Sequence, residues 1–377
     1  MVIFDRYILC FFIKVLLVCL ISITGLYIVI DVFNNLDEFL GYAREKGSLT
    51  AVLADYYGAR VPWFFDITSS LLTLIAAMFS VTWLQRTREM TALAAAGISK
   101  WRIIRPLVGA AIVVSVLAAV NREVVIPSLR HKLTRNAQDW NGDNARRVKP
   151  LRDNQNDIVM NGSFTYAKNQ RLEKPRFMLG RSMGDLGRHL MAEDAFYQAA
   201  PDGRSGWLLV GVQMPENLDD LPSVAIGGRE VILSPHDTPW LKPGQCFVVS
   251  GVDFQQLAAG GLWRSFASTP QLIAALRNPS LDLGLDTKVT VHSRVVQPLL
   301  DLTLFFLGLP LVLARENRNV FLATGLCLLV VLFFFLVVTV CQGLGARGMF
   351  FSPALAAWLP LMILAPTATA IAYPILE

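Results

Sequence analysis

Three long apolar runs begin this chain, a mixed stretch follows, and three more apolar runs close it. A helix crossing the hydrocarbon core of a bilayer needs about 20 consecutive apolar residues, because lipid offers exposed backbone groups no hydrogen-bond partner. Six segments meet that need, at 8–30, 61–84, 107–127, 291–314, 320–342 and 354–375. The stretch between the halves, 128–288, breaks into short runs at 157–162, 164–167, 176–179, 206–213, 229–233 and 246–254, bounded by Gly, Pro, Asn and Asp. Such runs predict strands, and their close spacing predicts a sandwich or jelly roll rather than βαβ units. Ser268-Thr269-Pro270-Gln271 reads as a helix start ahead of the apolar Leu272–Leu276, with an end near Asn278-Pro279. The pattern therefore predicts a polytopic α-helical membrane protein with six transmembrane helices and an all-β, jelly-roll-like domain inserted between helices 3 and 4. Its parts would be 1–127, 128–288 and 289–377.

Composition agrees with a membrane class: 54% of residues are hydrophobic, 17% are charged, and mean hydropathy is +0.46. Soluble domains carry about 25% charged residues. The net charge of +5 is modest and is better read through loop topology than as a nucleic-acid footprint. Cys10, Cys19, Cys327 and Cys341 fall in apolar spans, and Cys246 stands alone in the middle domain, which leaves that domain without an internal disulfide. No cysteine or histidine spacing suggests a metal site. The first run extends past 20 residues without a small-residue cleavage site, so it reads as a retained anchor rather than a signal peptide.

Basic residues in short loops set orientation. Arg86, Arg88, Lys100, Arg102 and Arg105 follow the second span, Arg315 and Arg318 follow the fourth, and Arg6 precedes the first. Arg44, Lys46, Arg60 and Arg347 are the sparser set opposite. The denser set predicts the cytoplasmic side, with both termini there and 128–288 on the outer side.

Thr87–Lys100 is rich in alanine, the best helix former. Met90, Leu93, Ala94 and Gly97 recur at i, i+3, i+4 and i+7, one face of a helix that begins with Arg88 and Glu89. Gly97 suits the helix end and Ser99 the cap of the next helix. A smooth alanine face can seat in a groove of another protein, or lie against its own bundle or the lipid surface. Pattern alone leaves both open.

Ionisable groups within spans are default functional candidates. Lys14 can snorkel to headgroups, and Asp66 lies close enough to a span end to reach water. Asp301, near the middle of the fourth span, should face the bundle interior, either lining a lipid path or making a structural polar contact. Arg130, Lys132 and Arg135, followed by Arg146, Arg147, Lys149 and Arg152, could meet headgroup phosphates or belong to a solvated linker. No HExxH or GxSxG points to catalysis, and no GxxxxGK[ST] gives the chain its own nucleotide hydrolysis. A secondary transporter would carry matching broken helices, and no such pair stands out.

At the alanine-rich segment the chain resembles the lipopolysaccharide-export permeases of the LptF/LptG (YjgP/YjgQ) family. The resemblance rests on Asp5-Arg6-Tyr7-Ile8, Glu89 to Ser99, Arg294, Gln297-Pro298, Leu307-Gly308-Leu309-Pro310-Leu311 and Ser352 to Pro360, in order along the whole chain. It implies six transmembrane helices with a periplasmic β-jelly roll in the inner membrane. The implied function is that of a permease subunit of an ABC-type export complex, not an enzyme. Implied partners are a cytoplasmic ABC ATPase dimer, a second LptF/LptG-type permease, a periplasmic bridge protein, and lipopolysaccharide or a related glycolipid. No cofactor is implied, ATP being used by the partner ATPase. Arg88–Ser99 would be the coupling helix, with Arg88, Glu89, Met90, Leu93, Ala94 and Gly97 on it and Glu89 facing the ATPase. Two departures stand out: Ser70 occupies a place where the family often has proline, and Asp31, Asn34, Asn35, Asp37 and Glu38 stand where one paralogue has lipid-contacting lysines. The alternative is a membrane-anchored scaffold, or a lipid or lipoprotein transporter subunit without lipopolysaccharide specificity.

Overall fold

A computed structural model describes residues 3–134, 146–259, 261–313, 320–349 and 351–376. The chain divides into two compact units, Met1–Leu129 with Gly284–Glu377, and Arg130–Leu283. The first is helical: α1 (Ile3–Asn34), α2 (Leu36–Lys46), α3 (Leu49–Arg86), α4 (Glu89–Ala95) and α5 (Lys100–Val120). A π turn at Asn121–Val125 carries α5 into α6 (Ile126–Leu133), whose residues from Arg130 on belong to the second unit, and α10 (Gly284–Leu313), α11 (Val320–Ala346) and α12 (Pro353–Leu376) complete the bundle. Among the described residues six helices are long and apolar enough to cross a membrane, in the order the hydropathy pattern predicts. Each begins or ends beyond the apolar run that marks it, because polar caps and charged end turns extend a helix past its hydrophobic centre. Ser48 and Ser99 do this for α3 and α5, their Oγ atoms accepting from the backbone N–H of Ala51 and Arg102 at 3.4 Å each.

α10 is the hub of the bundle. It packs on α3, α5, α11 and α12, and Val296, Leu300, Leu304 and Leu307, one helical stripe, are buried on it. Two apolar cores result. One joins Ile8 and Phe12 of α1, Ala76, Ala77, Val81 and Leu84 of α3, Met90 of α4, Ile103 to Val114 of α5, and Phe305 to Leu313 of α10. The other joins Leu74, Val296, Leu300, Leu304, Phe334 and Leu364. Lipid is as apolar as these side chains, so helix association in a bilayer depends on close fit and small residues rather than on exclusion of water. At Gly308 a Cβ would come within 2.5 Å of Leu74 Cδ1, and at Gly345 within 2.1 Å of the Ala356 Cβ. These two glycines set how near α10 lies to α3 and α11 to α12. α3 runs unbroken through Ser70.

The second unit is an all-antiparallel β-domain. Its strands are β1 (Arg146–Arg147), β2 (Leu151–Asp153), β3 (Ile158–Asn161), β4 (Phe164–Tyr166), β5 (Arg171–Glu173), β6 (Arg176–Met178), β7 (His189–Ala199), β8 (Ser205–Met214), β9 (Val224–Ile226), β10 (Arg229–Leu233) and β11 (Gln245–Val249). They run in the order β1-β4-β5-β7-β8-β11-β10-β9, with β2, β3 and β6 branching onto β7. β7, the longest strand, was not predicted. Its sequence sets Glu193 and Asp194 next to apolar positions and hides the alternation. β11 stops at Val249, short of the predicted Phe254, because Asp253 caps α7 (Phe254–Ala259), accepting from Gln256 N at 2.7 Å while Gln256 Oε1 accepts from Asp253 N at 2.9 Å. α8 (Leu262–Phe266) follows, then α9 (Thr269–Arg277), whose Ser268–Gln271 capping box matches the predicted start.

Trp207, Phe177, Phe247, Leu190, Leu209 and Met160 are fully buried in this domain. Trp207 Nε1 donates to the Val252 carbonyl at 3.1 Å, which removes the cost of burying the indole N–H. Asp153 is also fully buried and accepts from Ser250 Oγ at 2.6 Å and from the backbone N–H groups of Gln155 and Asn156.

Gly308→Val and Gly345→Val should each destabilise the bundle by about 1–3 kcal/mol through overpacking. The measurement is the thermal midpoint of the purified protein in nanodiscs. Gly25→Ala, whose added methyl meets nothing within 4 Å, should leave that midpoint unchanged.

Candidate functional site

α4 is short because both of its ends are fixed. Arg88 adopts a left-handed conformation (φ 60°) where α3 stops, and Gly97 (φ 75°) ends the helix. Ile98 N donates to Leu93 O and Gly97 N to Ala94 O, each at 3.0 Å, a glycine-terminated cap. The helix expected over Arg88–Ser99 is thus confined to Glu89–Ala95, and Ser99 belongs to the cap of α5. The predicted face splits. Met90 is 4% exposed within the first apolar core, and Leu93 packs against that core. Thr91, Ala92, Ala94, Ala95, Ala96 and Gly97 are exposed, and Glu89 is half-buried. One edge of the helix is therefore bound to its own bundle and the alanine surface is open. Around it, Arg102 pairs with Asp5 at 3.4 Å, and Gln85 Nε2 donates to the Val312 carbonyl at 3.1 Å. Arg315 and Arg318 lie outside the described residues.

A second group of polar side chains runs through the helical bundle. Arg122 Nε donates to both carboxylate oxygens of Asp66, at 3.0 and 3.1 Å. Glu123 stands 3.9 Å from Arg294 Nη1. Arg122 and Glu123 are neighbours in the π turn, yet one reaches α3 and the other α10. Asn121, in the same turn, donates to the Pro62 carbonyl at 2.8 Å. Asp301 is turned into the bundle, as its position in the span predicts, where Gln297 Nε2 donates to Oδ1 at 2.9 Å and Ser115 Oγ to Oδ2 at 3.3 Å. Asp66 does not simply reach water: its side chain is 13% exposed and that of Arg122 18%. Sequence reading missed Arg122 and Glu123, although both interrupt the apolar run at 107–127. That interruption was the available signal.

The third group belongs to the β-domain. Arg130, His131 and Arg146 line a recess of about 110 Å³ together with Gln170, Phe254 and Trp263. Arg146 Nη1 donates to the Thr134 carbonyl at 2.8 Å. Lys132 is half-buried and does not line this recess, and Arg135 lies outside the described residues. Burial lifts the Asp253 carboxyl above the usual carboxylate range, against the pull of the Gln256 backbone N–H and the Arg130 charge. Burial also pushes the Cys246 thiol up, so it stays protonated and inert. Two basic side chains and two aromatic walls suit an anionic, partly apolar group.

The family model described as lipopolysaccharide export system permease LptF/LptG matches residues 6–373. No curated protein matches the chain.

Removing one member of a buried ion pair strands the other charge. Asp66→Asn and Arg122→Gln should each cost about 3 kcal/mol. The double variant should cost clearly less than the sum, as read from thermal midpoints in nanodiscs; strict additivity would show that the two side chains do not act as a pair.

Proposed function

We propose, since the chain belongs to the lipopolysaccharide export system permease LptF/LptG family, that it is the permease subunit through which a separate cytoplasmic ATPase moves lipopolysaccharide or a related glycolipid out of the inner membrane. The observation that carries this reading is the double character of α4. Met90 and Leu93 sit in or against an apolar core shared by α1, α3, α5 and α10, while the alanine surface stays open. A push on that surface reaches four membrane helices without crossing a flexible joint, since packed cores resist compression. Alanine and glycine allow a partner to approach the backbone closely, and Glu89 and Arg88 add charge at the entrance.

Topology supports the same assignment. α4 follows the second span and the β-domain follows the third, so an odd number of spans separates them and they lie on opposite sides of the membrane. With the basic loops inside, α4 faces the cytoplasm and the β-domain the periplasm, where it meets a bridge protein. The paired charges of the π turn form a polar stripe inside the bundle for a headgroup to follow, with Asp301 enclosed beside it by Gln297 and Ser115 rather than in contact with the lipid. Arg130 and Lys132, with Arg135, contact its phosphates. A second six-span permease completes the lipid passage against the open sides of α1 and α11.

Purification from membranes under mild conditions should recover an ATPase and a second permease with this chain. Ala94→Trp and Glu89→Arg should each weaken ATPase binding about tenfold or more, whereas Lys14→Ala should leave it intact. Recovery of neither partner would reject the reading, and recovery of both with a different lipid would reassign the cargo alone. Arg130→Glu should lower glycolipid transfer to the periplasmic acceptor severalfold while ATPase binding is kept.

A further inference from the structure

Asp301 sits near the middle of a 30-residue spanning helix, and among the described residues it has no ion-pair partner. Its hydrogen bonds come from a carboxamide and a hydroxyl. The charges near enough to act on it, Arg122 and Asp66, neutralise each other. The elements packed around α10 offer nothing more. Among the described residues, Asp66 is the charge of α3 that acts on it, Arg122 and Glu123 come from the turn after α5, and Arg294 from α10 itself faces Glu123. α12 carries no charged residue within Pro353–Leu376, and α11 brings only the thiols Cys327 and Cys341. A buried carboxylate held only by neutral donors is costly. Two things remove that cost: a proton on the carboxyl, or a small cation beside it.

The surroundings are built for such an occupant. Asp301 opens on a recess of about 10 Å³ lined by Ser69, Ser70, Thr73 and Ser115 from α3 and α5. That volume is about the space of one water-sized probe, far too small for any part of a lipid. The hydroxyl protons are mostly committed elsewhere. Ser69 Oγ donates to the Asp66 carbonyl at 3.2 Å and Thr73 Oγ1 to the Ser69 carbonyl at 2.7 Å. Ser115 Oγ shares its proton between Asp301 and the Pro298 carbonyl, the latter at 3.4 Å. Ser69, Thr73 and Ser115 therefore line the recess with hydroxyl oxygens that keep lone pairs free to accept, beside a carboxylate. A wall of oxygen acceptors fits a species that brings positive charge and needs no acceptor of its own.

We infer that the junction of α3, α5 and α10 is a binding site for one compact monovalent cation, a proton or sodium, held by Asp301 with the hydroxyl oxygens of Ser69, Thr73 and Ser115. Its occupancy sets whether the centre of the bundle carries a negative charge, and it draws three helices together when filled. The site uses only this chain's residues, so it stands whether or not the permease reading does.

The test uses the full-length protein, purified in nanodiscs. Thermal midpoints are measured in sodium, potassium and choline chloride at constant ionic strength, and in choline chloride from pH 8 to pH 5. A sodium site gives a midpoint rise of about 2–4 °C in sodium over choline. A proton site gives a similar rise on acidification, together with the infrared carbonyl band of a protonated carboxyl. Either response should vanish in Asp301→Asn, which keeps the side chain's size. Ser115→Ala and Thr73→Val should shift the cation or proton midpoint threefold or more, and they carry the test if Asp301→Asn does not accumulate. An equal response in wild type and Asp301→Asn, no response in wild type, or midpoints unmoved in the hydroxyl variants would overturn the proposal.

Discussion

Inside a bilayer every polar group must be satisfied by the protein itself, and the helical unit is arranged around that requirement. Arg122 has Asp66, Glu123 has Arg294, and Asn121 has the Pro62 carbonyl. Each pairing joins two different helices, so the cost of carrying charge in the membrane becomes a set of ties between α3, α5 and α10. The same three helices approach one another through small side chains, with Gly308 seated against Leu74. Polar ties fix which faces meet, and close packing fixes how near they come. Neither does this alone, because apolar contact between helices in lipid discriminates little between one face and another.

This arrangement gives α4 its significance. A seven-residue helix has little stability of its own. It persists because Arg88 and Gly97 stop it at both ends and because Met90 is built into the apolar core. The exposed alanine surface is thereby held in one orientation, as the proposed docking of a partner requires.

Much of this was legible in the residues. The six spans follow from run length alone, since a bilayer imposes a single length scale on helices. Gly97 and Ser99 announced the end of α4 and the start of α5, and Ser268 with Gln271 announced α9. The β-domain was legible as a class but not strand by strand. β7 was lost because acidic residues lie among its apolar positions, and β11 was drawn too long because Asp253 looks like a strand boundary only once its cap on α7 is seen. Asp301 could be placed inside the bundle from its position in an apolar span. Its partners Ser115 and Gln297 could not, because serine and glutamine carry no periodic signature. Nor could the pairing of Arg122 with Asp66, since it depends on a local departure from regular helix.

That departure reaches further than the two side chains it redirects. A π turn holds one residue more than an α turn, so each residue beyond it is rotated about 100° around the helix axis from where an unbroken helix would put it. The turn at Asn121–Val125 thus offsets the residues that follow it from the phase of α5, and Ile126, the first of them, lies in the protein interior. One surplus residue is taken up as torsion rather than as a break, and the backbone continues without a loop where lipid would tolerate none.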